Sequence, residues 1–306
     1  MTYIRLEKDA DGIVELIFDQ AGKSVNVMGD EYAQAMPEAL DELEAQKDDI
    51  TGVYIRSGKP GQFFAGGDIT RMLEMDLNPD AAERERMFND IVAAKAPLRR
   101  LEALGVPIAV GINGAALGGG YEIALACNHR IALNLPSTVV GLPEVSLGLL
   151  PGGGGIVRMV NKFGLEKALP YLLEGKRLDV ESALDQGLVD EIVTSAEELI
   201  TAAKRYILQN KGSAEAAVQP WDREGFKIPG GNANNPKLAM LLAAAPAMLL
   251  AKTKGKYPAP KEILDVAVEA ARLDFDTALR VESRGLVYLA MTPQAKKMMA
   301  DFFKPK

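Results

Sequence analysis

The chain has 306 residues, 48% of them hydrophobic and 25% charged, the balance of a globular protein long enough to bury a large core. Its net charge of −7 argues against a nucleic-acid surface or an anionic membrane as partner. One cysteine (Cys127) and one histidine (His129) exclude an intrachain disulfide and a Cys/His metal cluster, so no metal is expected.

The opening "MTYIRLEKDADG" carries charge where a secretory signal needs an apolar run, and no stretch holds 18 uninterrupted apolar residues. A cytoplasmic protein with no membrane partner is the expectation. "YIRLEK" and "IVELIFD" flank Asp11-Gly12 and predict a hairpin. A helix follows from about Asp30, with Asp30 as its N-cap, then the strand "GVYIRS" and the glycine-crowded loop "GKPGQFFAGGDI". A charged helix over 80–104 leads to the strand "VPIAVGI" and to "GINGAALGGGYEIALACNHR", where three glycines precede an apolar helix. "RIAL" and "VVGLPEVSLGLLPGGGG" come next. Strands alternating with helices predict an α/β architecture.

Beyond about residue 195 the pattern turns helical, with a turn-rich excursion over 220–236. Two further helices are predicted after it. One is "PKEILDVAVEAARLDFDTALRVE"; the last starts at Thr292-Pro293, an N-cap and N1 pair. Ala295, Met298, Met299, Phe302 and Phe303 share one face of that last helix. The chain therefore divides by character into 1–195, 196–259 and 260–306.

No G-x-S-x-G elbow, G-x-G-x-x-G or G-x-x-x-x-G-K-[ST] is present, so His129 reads as structural and acid–base chemistry must rest on carboxylates. Glycine costs roughly 1 kcal/mol in a helix relative to alanine, so three at a helix entry imply that something approaches the backbone closely. Amides exposed by "FFAGGDI", "LGGGYE" and "LPEVSLGLLPGGGG" could bind an anion. Two donors aimed at one point make an oxyanion hole, and a pair of carboxylates beside it could move protons at the neighbouring carbons. Taken singly, a triple glycine more often serves close helix packing than catalysis, and a lone glutamate usually sits on a solvated surface. Asp68 reads as a local cap on its own loop.

The segments "FFAGGDI", "INGAALGGGYEIALACNHRIAL", "GLPEVSLGLLPGGGG" and "LLEGKRLDVESALDQGLVDEIV", in this order, resemble the crotonase (enoyl-CoA hydratase/isomerase) family. The resemblance implies a superhelix of ββα turns with a C-terminal helical region. It places the oxyanion hole on the amides of Gly67 and Gly119 and the catalytic carboxylates on Glu122 and Glu144. Ala65, Gly66, Asp68, Ile69, Gly118 and Pro143 fall at the substrate and CoA contacts. The implied substrate is an acyl-CoA thioester, and no separate cofactor is needed because CoA belongs to the substrate. Both carboxylates together favour hydration of a 2-enoyl-CoA in fatty-acid β-oxidation. The alternatives are a Δ3–Δ2-enoyl-CoA isomerase and a non-catalytic acyl-CoA-binding module.

Residues 254–303 resemble the linker between hydratase and 3-hydroxyacyl-CoA dehydrogenase modules of the β-oxidation multienzyme. That likeness implies a downstream dehydrogenase module as partner, outside this chain. It also implies a tail packed on its own core, with the oligomeric state open between monomer and trimer.

Overall fold

A computed structural model describes residues 3–304. It opens with the expected hairpin, β1 (Ile4–Lys8) antiparallel to β2 (Ile13–Phe18). The Asp9 carboxylate closes the turn, accepting the amides of Asp11 and Ile13 at 2.9 Å each. Helix α1 (Asp30–Ala45) begins where expected, but Asp30 is not its N-cap. Gly29 holds that place without a side-chain bond, and Asp30 instead sets a carboxylate in the first turn, where the helix dipole favours it.

Next come β3 (Gly52–Ser57), the short α2 (Thr70–Glu74), α3 (Ala81–Glu102) and β4 (Ile108–Ile112). The two-residue β5 (Ala116–Leu117) leads into α4 (Gly119–Leu125), then β6 (His129–Leu133) and β7 (Val139–Gly141). A 3-10 turn over Glu144–Leu147 precedes α5 (Gly155–Glu174), β8 (Arg177–Asp179), α6 (Val180–Asp185) and β9 (Glu191–Val193). Helix α7 (Ala196–Gln209) starts on a capping box of Ser195 and Glu198.

Among the described residues after 235 there are four helices where the sequence predicted two: α8 (Pro236–Thr253), α9 (Ala259–Ala270), α10 (Phe275–Ala290) and α11 (Pro293–Phe302). The stretch predicted as one helix is cut at Asp274, whose carboxylate accepts the Thr277 amide at 2.9 Å and so starts α10. Aspartate competes for nearby amides in this way, which periodicity alone does not reveal. Helix α8 is apolar between Lys237 and Lys252, yet Leu238 is its one buried residue, and Met240 and Met248 are exposed. Helix α11 starts at Thr292 and Pro293 as expected. Its apolar face ends early: Ala295 and Met299 are buried, but Phe302 and Phe303 are exposed.

The chain forms two compact units that interleave along the sequence, whereas the expected divisions at 195 and 259 follow sequence character. The first unit takes the chain up to Asp68, Ala96–Gly141 and Arg177–Glu224. Its six-stranded sheet has the order β1-β2-β3-β4-β6-β9, parallel from β2 onward, beside a small sheet β5-β7-β8. On one face, Leu199, Ala202, Ala203 and Ile207 of α7 close over Ile13, Tyr54, Ala109 and Ile131. Burying each of the larger aliphatics is worth about 1.5–3 kcal/mol. Phe18, five residues from Ile13 on the same strand, points to the opposite face and packs with Tyr32 and Phe64.

The second unit takes Ile69–Lys95, Leu142–Lys176 and the chain from Gly225 on. Its named elements among the described residues are helical. Here α9 packs on α5 and α10, burying Ile263, Leu264 and Val266.

Candidate active site

The loop after Phe63 is held from below by Asn26, which is fully buried. Its side-chain amide donates to Phe63 O and Ser57 Oγ at 3.0 Å each, while its carbonyl accepts the Gln20 amide at 3.0 Å. Ala65 donates its amide to Asn26 O at 2.9 Å. Met28 then pairs with Gly67: its amide reaches Gly66 O at 2.9 Å, and its carbonyl accepts the Asp68 amide at 2.8 Å. In a parallel bridge of this pattern the residue opposite turns its own amide away from the pairing chain. The Gly67 N–H is thus directed outward by the local hydrogen bonding.

The three glycines before Tyr121 serve three different needs. Gly118 has φ 54° and ψ −125°, a conformation side chains oppose, and its amide is fixed to Gly141 O at 2.9 Å. Gly120 packs so closely that a Cβ there would lie 2.6 Å from Phe64 Cβ and 2.7 Å from Phe64 O. At Gly119 a Cβ would lie 3.5 Å from the Gly67 nitrogen and 2.5 Å from Met28 Sδ. Among the described residues, neither the Gly67 nor the Gly119 amide donates a hydrogen bond. Two neighbouring amides without an acceptor in the fold form a pair of donors for an incoming oxygen.

Glu122 lies in the first turn of α4, 2% exposed, with its amide bonded to Gly118 O at 2.9 Å. Every residue of α4 is buried, and Tyr121 Oη donates to Leu188 O at 2.8 Å, which pins the helix carrying the carboxylate. The first unit therefore brings Gly66, Gly67, Gly118, Gly119 and Glu122 into one neighbourhood. Asp68 lies with its side chain against Gly29 at the start of α1, and the N-cap of α2 is the next residue, Ile69.

Ile69, Pro143 and Glu144 belong to the second unit. Glu144 is half-buried and opens the 3-10 turn that follows Pro143. The Ser146 hydroxyl and amide donate to Pro143 O at 2.7 and 2.9 Å, and the Leu149 amide donates to Glu144 O at 3.1 Å. Helix α11 seats this turn: a Cβ on Gly148 would lie 2.8 Å from Ala295 Cα.

The third glycine run, Gly152–Gly155, has a different purpose from the one its sequence suggests. The amides of Gly154, Ile156 and Val157 donate to the Glu282 carboxylate at 2.7, 3.0 and 3.3 Å. Glu282 is fully buried and also receives Lys95 Nζ at 2.7 Å. The anion position at this helix start is filled from within the protein.

Asn26 and Met28 are the residues that sequence reasoning missed. A polar residue inside the apolar run "VNVM" was the available signal for Asn26; Met28 gave none. His129 is structural, as expected: its ring stacks on Tyr206 at 4.3 Å between centroids, and Nε2 lies 3.3 Å from Glu191.

The family model described as Enoyl-CoA hydratase/isomerase matches residues 9–219. The chain is 34% identical over 301 residues to the fatty acid oxidation complex subunit alpha of Shewanella amazonensis, and 32% identical over 298 residues to that of Idiomarina loihiensis. Each alignment covers 97% of this chain and 40% of the relative, so the chain spans well under half the length of either. Among solved structures, Pseudomonas aeruginosa DspI is 27% identical with a TM-score of 0.59, covering 71% of this chain and 84% of that one. An enoyl-CoA hydratase from Bacillus halodurans shares the fold, with a TM-score of 0.62 at 21% identity over 98% of this chain and 99% of that one. With the expected motifs on a mixed α/β fold and the family model matching most of its length, the chain belongs to the crotonase, or enoyl-CoA hydratase/isomerase, family.

Proposed function

We propose that the protein hydrates trans-2-enoyl-CoA thioesters to 3-hydroxyacyl-CoA. The observation that carries this reading is the pair of adjacent amides, Gly67 and Gly119, that the fold leaves without acceptors. The thioester carbonyl oxygen accepts from both, and they stabilise the negative charge that grows on it as the double bond is attacked. Glu122 takes a proton from water as its oxygen bonds to C3, and the π electrons move towards the carbonyl oxygen. Glu144 supplies the proton that C2 gains when the enolate collapses. Family membership and the resemblance of the two motifs support these assignments.

Fatty acyl chains are the proposed substrate class, supported by relatives that carry the name fatty acid oxidation complex subunit alpha. The likeness of residues 254–303 to the linker of the β-oxidation multienzyme supports a 3-hydroxyacyl-CoA dehydrogenase module as the proposed consumer of the product. The proton transfers use carboxylates and amides alone, with CoA as part of the substrate, and we place the reaction in the cytoplasm.

The test follows the loss of the conjugated thioester absorbance of crotonyl-CoA and of a longer 2-enoyl-CoA. Glu122→Gln and Glu144→Gln should each lower turnover by roughly 10²–10⁴-fold, the usual contribution of positioned acid–base groups. A variant that keeps parental turnover removes its residue from the mechanism. Conversion of a 3-enoyl-CoA that survives Glu122→Gln but not Glu144→Gln would identify isomerisation as a second activity.

A further inference from the structure

Helix α2 has five residues, none of them buried, and its N-cap Ile69 makes no side-chain cap bond. A single turn of this kind is not stable by itself, because nucleation costs more than one turn of hydrogen bonds returns. Its Leu73 amide donates to Ile69 O at 3.2 Å, while the carbonyls at its end have no partner within the helix. Lys296 of α11 supplies that partner. Its ammonium donates to Met72 O, Leu73 O and Met75 O, the Leu73 bond being 3.0 Å. An ammonium has three donors, and here three carbonyls receive them. Burial lowers the Lys296 pKa, with the charge of Asp76 opposing, which marks a side chain held among carbonyls and not in open water.

We propose that Lys296 is a positioning residue for substrate binding: it keeps α2 formed, and with it Ile69 in the conformation that receives the CoA thioester. This rests on the reading of Ile69 as a CoA contact. Without the clamp, α2 frays and only a fraction of molecules are competent to bind. Apparent affinity then falls by that fraction, while the bound complex, once formed, reacts as before.

The experiment uses the full chain with Lys296→Met, Lys296→Arg and Lys296→Gln. Hydrogen exchange over residues 69–75 reads the order of α2 directly. Steady-state kinetics on crotonyl-CoA and calorimetric affinity for butanoyl-CoA, which cannot be hydrated, read its consequence. In Lys296→Met, exchange over 69–75 should rise, and KM and the butanoyl-CoA Kd should each rise about 10-fold, with kcat within about 2-fold of the parent. Lys296→Arg should restore all three, because its guanidinium also carries several donors. If Lys296→Met fails to fold, Lys296→Gln, which keeps two N–H donors, is read in its place. Unchanged exchange over 69–75, or a loss confined to kcat, overturns the proposal. A parent inactive on crotonyl-CoA counts against the hydratase reading, while exchange and butanoyl-CoA affinity still decide the role of Lys296.

Discussion

Gly118, Gly119 and Gly120 are indistinguishable as letters, and the structure separates them by what each backbone meets. Alanine at the three positions should therefore give three different proteins. Gly118→Ala forces a side chain into a disallowed conformation, a strain of about 1–3 kcal/mol. Gly120→Ala presses a methyl against Phe64 backbone and Cβ, an overpacking that costs about 1–3 kcal/mol. Gly119→Ala meets chiefly the flexible end of Met28, so it should melt near the parent. Its methyl would nonetheless stand 3.5 Å from the Gly67 nitrogen, in the way of an approaching oxygen. Loss of an oxyanion donor typically costs roughly 10²–10³ in turnover, and Gly119→Ala should fall in that range on crotonyl-CoA. Thermal melts and kinetics on the set give the check: an active Gly119→Ala, or a Gly119→Ala less stable than its neighbours, would separate this glycine from the oxyanion role. The sequence exposed these glycines because composition marks them. It was silent on Met28, whose part comes from bridge geometry that no local pattern encodes.

The start of α11 was legible, because Thr292 before Pro293 is short-range chemistry; Ser195 with Glu198, and Asp179, also act within four residues but were not read from the sequence. The start of α5 was not legible, because its cap comes from residue 282. A glycine run ahead of an apolar helix has the same wording whether its amides face a ligand or an internal carboxylate. Glu282 and Lys95 lie on helices far apart in sequence, 0% and 5% exposed as side chains. Removing one partner of such a pair leaves the other charge buried and uncompensated, at a cost of about 3–5 kcal/mol. Glu282→Gln should lose stability on that scale in urea unfolding. Adding Lys95→Met removes the stranded ammonium, and the double variant should recover part of the loss. Strictly additive single and double variants would show that the two side chains do not act as a unit. The expected anion-binding purpose of Gly152–Gly155 fails for the same reason: the protein supplies the anion.

Across the whole chain, the strand–helix alternation that predicted α/β is present, but the pairing of strands is not a local property. Strand β6 lies between β4 and β9, a neighbour 191–193 that periodicity could not select. The pairing brings Glu191 beside His129, the single histidine of the sequence, on the strand it joins. Burial lowers the His129 pKa below its ordinary 6.5, and the nearby Asp190 and Glu191 charges oppose that shift without reversing it. The sign follows from linkage. Above pH 6.5 the imidazole is neutral in both folded and unfolded chains and contributes no pH dependence. As pH falls below 6.5 the unfolded chain takes up a proton that the folded chain does not, so stability falls until the folded pKa is reached. The slope is at most about 1.4 kcal/mol per pH unit. This window lies above the ordinary range of carboxylates and above those held low by cations, such as Asp19 beside Lys59 and Arg5. Glu262, which burial raises, acts in the opposite sense and is common to both proteins compared. Denaturant unfolding from pH 7 to 5 should therefore show a decline in the parent that His129→Gln flattens. An NMR titration should show one imidazole with a midpoint below 6.5. A midpoint at or above 6.5, or equal pH slopes in parent and variant, would mean that the carboxylates of β9 and its approach outweigh burial at the start of β6.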